Sequence, residues 1–165
     1  MAERTFTPTP KRIVFTNIGG KRDGRASVIL TCMEDMIPGS DLQLFLYDVA
    51  SRMVPEGCPW SIVDTDKIPA DPDFRSARTF DHATGTFGHD MEKARKIHRD
   101  RIREARKPLL EAEDIEVSAA LAMGDQPRAR AAEIERQRLR DITKHKPIDD
   151  AKTVADLRDP KAWPL

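Results

Sequence analysis

From Met91 to Met123 the chain contains no glycine and is built mostly of Ala, Glu, Lys and Arg. These are strong helix formers, and a run of this length leaves few alternatives to a long helix. Gly124 to Pro127 (GDQP) then reads as a turn, with Pro127 suited to the first turn of a second helix. That helix is expected to continue to about Thr143. The back half of the chain therefore predicts a long antiparallel helical hairpin, followed by a tail with Pro147 and a short helix capped by Thr153.

Within the first helix, Ile102, Ala105, Leu109, Ala112, Ala119 and Met123 recur at three- and four-residue steps, interrupted by Glu116. This spacing predicts a coiled-coil-like seam. The second helix offers a thinner apolar edge of Ala131, Ile134, Leu139 and Ile142. Pro108 removes one backbone hydrogen bond and crowds the carbonyl of Glu104, so a bend is expected there.

The charges are unevenly placed. Lys93 to Lys107 carries eight basic residues against Asp100 and Glu104, whereas Glu111 to Asp125 carries five acids and no base. Within one helix this order opposes the helix dipole, so another interaction must compensate. If the chain reverses near Gly124, Glu111 faces Arg138, Glu113 faces Arg136, and Glu116 comes near Glu133 and Arg130. Continued along the hairpin, the same register sets the basic stretch against Asp149, Asp150 and Asp156 of the tail. The stretch is then either neutralised internally or left as a docking surface for an acidic partner.

The front half reads differently. Arg12 to Asn17 and Ala26 to Cys32 are rich in Ile, Val, Phe and Thr and predict two strands. Between them IGGKRDGR supplies the glycines of a reversing turn. Pro38-Gly39 breaks the chain, and Ser40 or Asp41 can cap a helix running to about Val54, with Leu42, Phe45, Leu46, Val49 and Met53 on one face. Pro55 and Gly57 end it. Trp60 to Asp64 predicts a short strand, and Phe74 to Asp81 with Gly85 to His89 a second hairpin. The fold class is thus α+β, a small N-terminal part with β-hairpins and one helix (1–90) followed by the helical hairpin and C-terminal tail (91–165).

Composition narrows the function classes. Lys plus Arg and Asp plus Glu both number 28 in 165 residues, which weighs against a general nucleic-acid binder. Only nine aromatics occur and none interleaves with the basic stretch, so base stacking there is not expected. No apolar run approaches a membrane span, and the first residues hold no apolar stretch of the secretory kind; a soluble, cytoplasmic protein is the expectation. Cys32 and Cys58 are expected as free thiols.

No catalytic constellation emerges. His98-Arg99-Asp100 matches the start of a kinase catalytic loop, but Ala105 stands where the loop requires Asn. Gly19-Gly20-Lys21 lacks phosphate-loop spacing, and no Gly-x-Ser-x-Gly elbow is present. His82, His89 and His98 have acids nearby but no short ligand spacing, so no metal is assigned. A Cys58 pairing with His82 or His89 has nothing to single it out. No cofactor is expected. Trp163 reads as a clamp packing the tail onto the fold or as an anchor for a partner.

The run Gln137-Arg138-Leu139-Arg140-Asp141-Ile142-Thr143, a spacer with Pro147 and a final Trp163-Pro164 resemble phage tail assembly chaperones and tail-fibre assembly proteins. In these a similar Q-x-L-R-D-x-T run precedes a terminal W-P. The stretch Asp90 to Arg101 is similar to proteins common in phages and prophages of alphaproteobacteria, which share a hairpin start like Ile13 to Val28; Asp35 to Arg52 departs from that pattern. The resemblance implies a small non-enzymatic protein that binds a phage tail or tail-fibre component. It would act in the host cytoplasm during assembly, as a chaperone or as a retained part of the virion. The candidate partner-binding residues are Arg95, Arg99 and Arg103 of the basic stretch, Leu139, Arg140 and Asp141 of the C-terminal run, and Trp163. Self-association through the helical hairpin, and a weaker nucleic-acid-binding role of the basic helix, are the remaining expectations.

Overall fold

A computed structural model describes residues 10–29, 41–163 and 165. The fold is α+β, and the chain divides into two compact units, Met1–Asp90 and Met91–Leu165. The division falls where the composition changes.

In the first unit β1 (Lys11–Thr16), β2 (Ala26–Ile29) and β3 (Trp60–Asp64) form an antiparallel sheet in the order β2-β1-β3. Successive side chains of a strand point to opposite faces, and in β1 both Ile13 and Val14 have no exposed surface. The sheet is therefore covered on both sides. On one face, Ile13 pairs across to Ile29 and Ile62, and Phe15 to Trp60. This face packs on α1 (Leu42–Met53) through Leu46 and Ala50. On the other face, Val14, Ala26 and Val63 pack on Phe80 of the hairpin β4 (Arg78–Asp81) and β5 (Thr86–His89). The turn between β1 and β2 uses left-handed backbone at Gly19, Gly20 and Gly24, as the glycine content predicts.

Helix α1 is capped by Asp41, whose carboxylate accepts from the Leu44 N–H at 3.0 Å. Leu42, Phe45 and Val49 pack toward the sheet as expected. Met53, the last helical residue, is instead exposed, and Ala50 takes the buried position. Residues 74–77 also depart from the expected strand. Phe74 is buried and Arg75–Ala77 form a 3-10 turn. The cause is local: the Asp71 carboxylate accepts from the N–H groups of Asp73 and Phe74, a turn that competes with extended backbone. The expected Ser40 cap, the Pro38-Gly39 break and the end of the second strand, with Cys32, lie outside the described residues.

The second unit is built on α2 (Met91–Ala122, 32 residues) and α3 (Gln126–Asp141), which pack along each other. Asp125 caps α3 by accepting from Arg128 N–H, Pro127 lies in the first turn, and Gly124 has φ 72°. Helix α2 continues through Pro108, which is exposed to solvent.

The seam is rotated by about one residue from the sequence expectation. Along α2 the inward positions are Ala94, His98, Ile102, Arg106, Leu110, Glu113, Val117 and Ala120; Ala105, Leu109, Ala112 and Met123 face solvent. Leu109-Leu110 and Ala119-Ala120 are doublets that suit either phase. The buried pair His98 and Ile102, four residues apart, selects the one adopted. In α3 the buried residues are Ala129, Ala132 and Leu139, while Ala131 and Ile134 are exposed. Alanines at Ala120, Ala129 and Ala132 keep the seam near the turn narrow, which permits close helix approach.

After α3 a 3-10 turn (Ile142–Lys144) leads to α4 (Lys146–Asp150) and α5 (Val154–Leu157). Thr153 caps α5 in a reciprocal box with Asp156, as expected for a Thr at that position. Ile148, Ala151, Leu157 and Ala162 are buried, so the tail is part of the core of this unit.

Candidate functional site

The basic half of α2 meets the carboxyl end of α3. The last carbonyls of a helix have no intrahelical partner and carry its negative dipole end. Arg106 donates from Nη1 to the carbonyls of Leu139 and Arg140, at 2.8 and 2.7 Å. Arg99 donates from Nε to Thr143 O at 3.2 Å and forms an ion pair with Asp149. Arg95 holds Ala151 O from Nη2 at 2.9 Å. A charge order that opposes the dipole of α2 thus serves the dipole of its antiparallel neighbour. Of the three tail acids expected to face this stretch, Asp149 does so. Asp156 instead accepts from the N–H groups of Lys152 and Thr153, and these bonds hold its carboxyl below the usual range.

The interhelical ion pairs also shift with the rotated seam. Glu116 pairs with Arg128, not Arg130, and Arg136 reaches Asp114, not Glu113. Arg138 pairs with Glu135 on its own helix. The hydrogen bond from Arg128 lowers the Glu116 carboxyl and the one from Arg138 lowers Glu135. Apart from the half-buried Arg136, these side chains are exposed, and such pairs set register more than stability.

Placed on this frame, the candidate partner residues separate. Leu139 is 2% exposed and belongs to the core of the hairpin, so it presents nothing to a partner. Arg95 and Arg99 are half-buried and bound to the tail, which removes them from a free basic surface. Arg103 is exposed and pairs with Asp100 one turn earlier. Arg140 is exposed. Asp141 accepts from Lys144 at 2.8 Å and from Gln137 at 2.6 Å, and both depress its carboxyl. Trp163 lies edge-to-face on the ring of buried His98 at 5.4 Å, and His98 Nε2 donates to Ala162 O at 2.8 Å. This is the clamp reading of Trp163; Pro164 lies outside the described residues. The 137–143 run is chiefly the carboxyl-terminal cap of α3.

The second unit also exposes large apolar side chains. Ile115 and Ile134 are each 71% exposed, and Leu109, Leu121 and Met123 are also open to solvent. Ile115 lies two residues from both Glu113 and Val117, which turns it to the far side of α2 from α3. Ile134 lies two residues from both Ala132 and Arg136 and is turned away likewise.

In the first unit His82 joins the sheet to the β4–β5 hairpin. Its Nε2 meets Thr16 Oγ1 at 3.0 Å and its Nδ1 meets Ser61 Oγ at 2.7 Å. A Ser–His contact of this kind suggests a nucleophile and base, but a hydroxyl stands where an orienting carboxylate would be needed. The adjacent Asp81 carboxylate holds the turn, accepting from Ala83 N–H, Thr84 N–H and Thr84 Oγ1. Burial pushes the His82 imidazole below its ordinary pKa, against the opposing pull of Asp81. Cys58 is free and half-buried. Among the described residues no group of three His, Cys, Asp or Glu side chains is placed to hold a metal ion.

One cluster has no counterpart in the sequence reading. Arg12, Arg25, Arg75 and Arg78 line a cleft of about 580 Å³ beside β2. These positions share no local motif. Strand pairing and the 3-10 turn bring them together, so only a correct sheet register would reveal them.

No family model, no curated protein and no solved structure matches the chain.

Proposed function

We propose that this chain is a non-enzymatic binding protein that assists assembly of a phage tail, docking a tail or tail-fibre component along its helical hairpin. The observation that carries this reading is the pair Ile115 and Ile134, large apolar side chains on the outer faces of two helices whose inner faces already pack together. A partner docked over these side chains would remove their apolar surface from water, which favours binding. The resemblance of 137–143 and Trp163 to tail assembly proteins supplies the class of partner. Co-expression with a phage tail-fibre gene is expected to give a stable complex or more soluble fibre protein. No effect on either would defeat the proposal.

A structural role in the tail or fibre is the second reading, and the way Trp163 and His98 fix the tail favours it, since a rigid protein suits a virion. Stoichiometric recovery of the chain from purified particles by mass spectrometry would select this role over a chaperone that departs. Nucleic-acid binding through the basic helix is less supported, because Arg95, Arg99 and Arg106 are bound to carbonyls of their own unit.

A further inference from the structure

We propose that the arginine cleft beside β2 in the N-terminal unit binds a phosphorylated small molecule carrying at least two negative charges. Among the described residues Arg12, Arg25, Arg75 and Arg78 line this cleft together with one acidic residue, Asp71. That carboxylate is already engaged by the N–H groups of Asp73 and Phe74.

Arg78 is the central group. Only 6% of it is exposed, and its Nη2 donates to the carbonyl of Pro69 at 2.6 Å and that of Asp71 at 3.4 Å. These bonds and the face of Phe87, 5.9 Å from the guanidinium carbon, fix the side chain before any ligand arrives. Its Nε is buried and has no hydrogen-bond partner among the described residues, and the same holds for the Nε of Arg25. A buried donor left unsatisfied is costly, and a buried cation more so. Burial, with Arg75 and Arg25 nearby, depresses the Arg78 guanidinium. An anion seated among the four would satisfy the donors and offset the repulsion.

The shape narrows the chemistry. A cleft of about 580 Å³ is of small-molecule size. The planar fork of arginine suits phosphate oxygens bidentately. Val28, Ile68, Pro69 and Pro72 add an apolar wall, which accommodates a carbon body attached to the phosphate. A nucleic-acid backbone is better served by cations spread along a track than by four converging in one concavity.

The test is calorimetric titration of the full chain with pyrophosphate, with inorganic phosphate and a short DNA duplex in parallel. Pyrophosphate is expected to bind, inorganic phosphate more weakly. The double substitution Arg25→Gln/Arg75→Gln is expected to weaken pyrophosphate binding at least about tenfold, as loss of charge-assisted contacts implies. Both side chains have solvent-accessible surface, and circular dichroism would verify that the variant folds. Arg78→Lys, which keeps the charge and loses the fork, should weaken binding as well, and the double variant decides if Arg78→Lys does not fold. Absence of pyrophosphate binding at millimolar concentration overturns the proposal. So does affinity unchanged in the double variant, or a duplex that binds more tightly than pyrophosphate through the same arginines.

Discussion

His98 Nε2 donates to the carbonyl of Ala162 at 2.8 Å, across 64 residues of sequence. The contact is buried, and the ring also receives Trp163. Because a carbonyl only accepts, the proton resides on Nε2. This pair fastens the end of the chain to the middle of the amino-terminal half of α2.

His98→Ala should therefore remove a buried hydrogen bond and an aromatic contact together, at a cost of roughly 2–3 kcal/mol. Urea unfolding would measure the loss. Hydrogen exchange should show 157–162 losing protection first, with 110–135 little affected.

Arg106→Gln is expected to destabilise the hairpin by about 1–3 kcal/mol, because two carbonyls at the end of α3 lose a charged donor. Arg128→Ala, which breaks an exposed ion pair with Glu116, should shift the unfolding midpoint far less than Arg106→Gln, and less still at high salt. Denaturation of both variants at low and high ionic strength would separate the two contributions.

The N-terminal unit should weaken in mild acid. His82 has a folded pKa below its ordinary 6.5. The unfolded chain therefore binds the proton more readily, and stability rises with pH across this interval. The contribution is present above 6.5 and is lost as pH falls from there toward and below the depressed folded value. His82→Asn should flatten this part of the stability-versus-pH curve. Asp81 and Asp156 are lowered below 3.8 in the folded chain, so their contribution is present above that value and is lost only in stronger acid.

Much of the fold was legible because local chemistry and tertiary packing agree. The glycine-free run, the Gly124 turn with Pro127 and the Thr153 cap each specify an element from a few adjacent residues. The phase of the α2 seam was not legible, since Leu109-Leu110 and Ala119-Ala120 fit two rotations and His98 reads as polar. Its burial depends on a carbonyl at Ala162 that no local pattern reveals. The strand expected at 74–77 gave way to a turn set by Asp71. The basic stretch was recognised as needing compensation, but carbonyl groups are the same in every residue and leave no trace in composition. The arginine cleft was hidden for a related reason, because it is assembled from strands and a turn far apart in sequence.

The most direct measurement is co-purification of a tagged tail-fibre product with the wild-type chain and with Ile115→Glu/Ile134→Glu. Both positions are 71% exposed, so the variant should unfold at the same denaturant concentration as the parent. The predicted result is a complex with the wild-type chain that is lost in the folded double variant. Separate elution of fibre product and wild-type chain, or equal binding by the variant, would contradict docking through the hairpin.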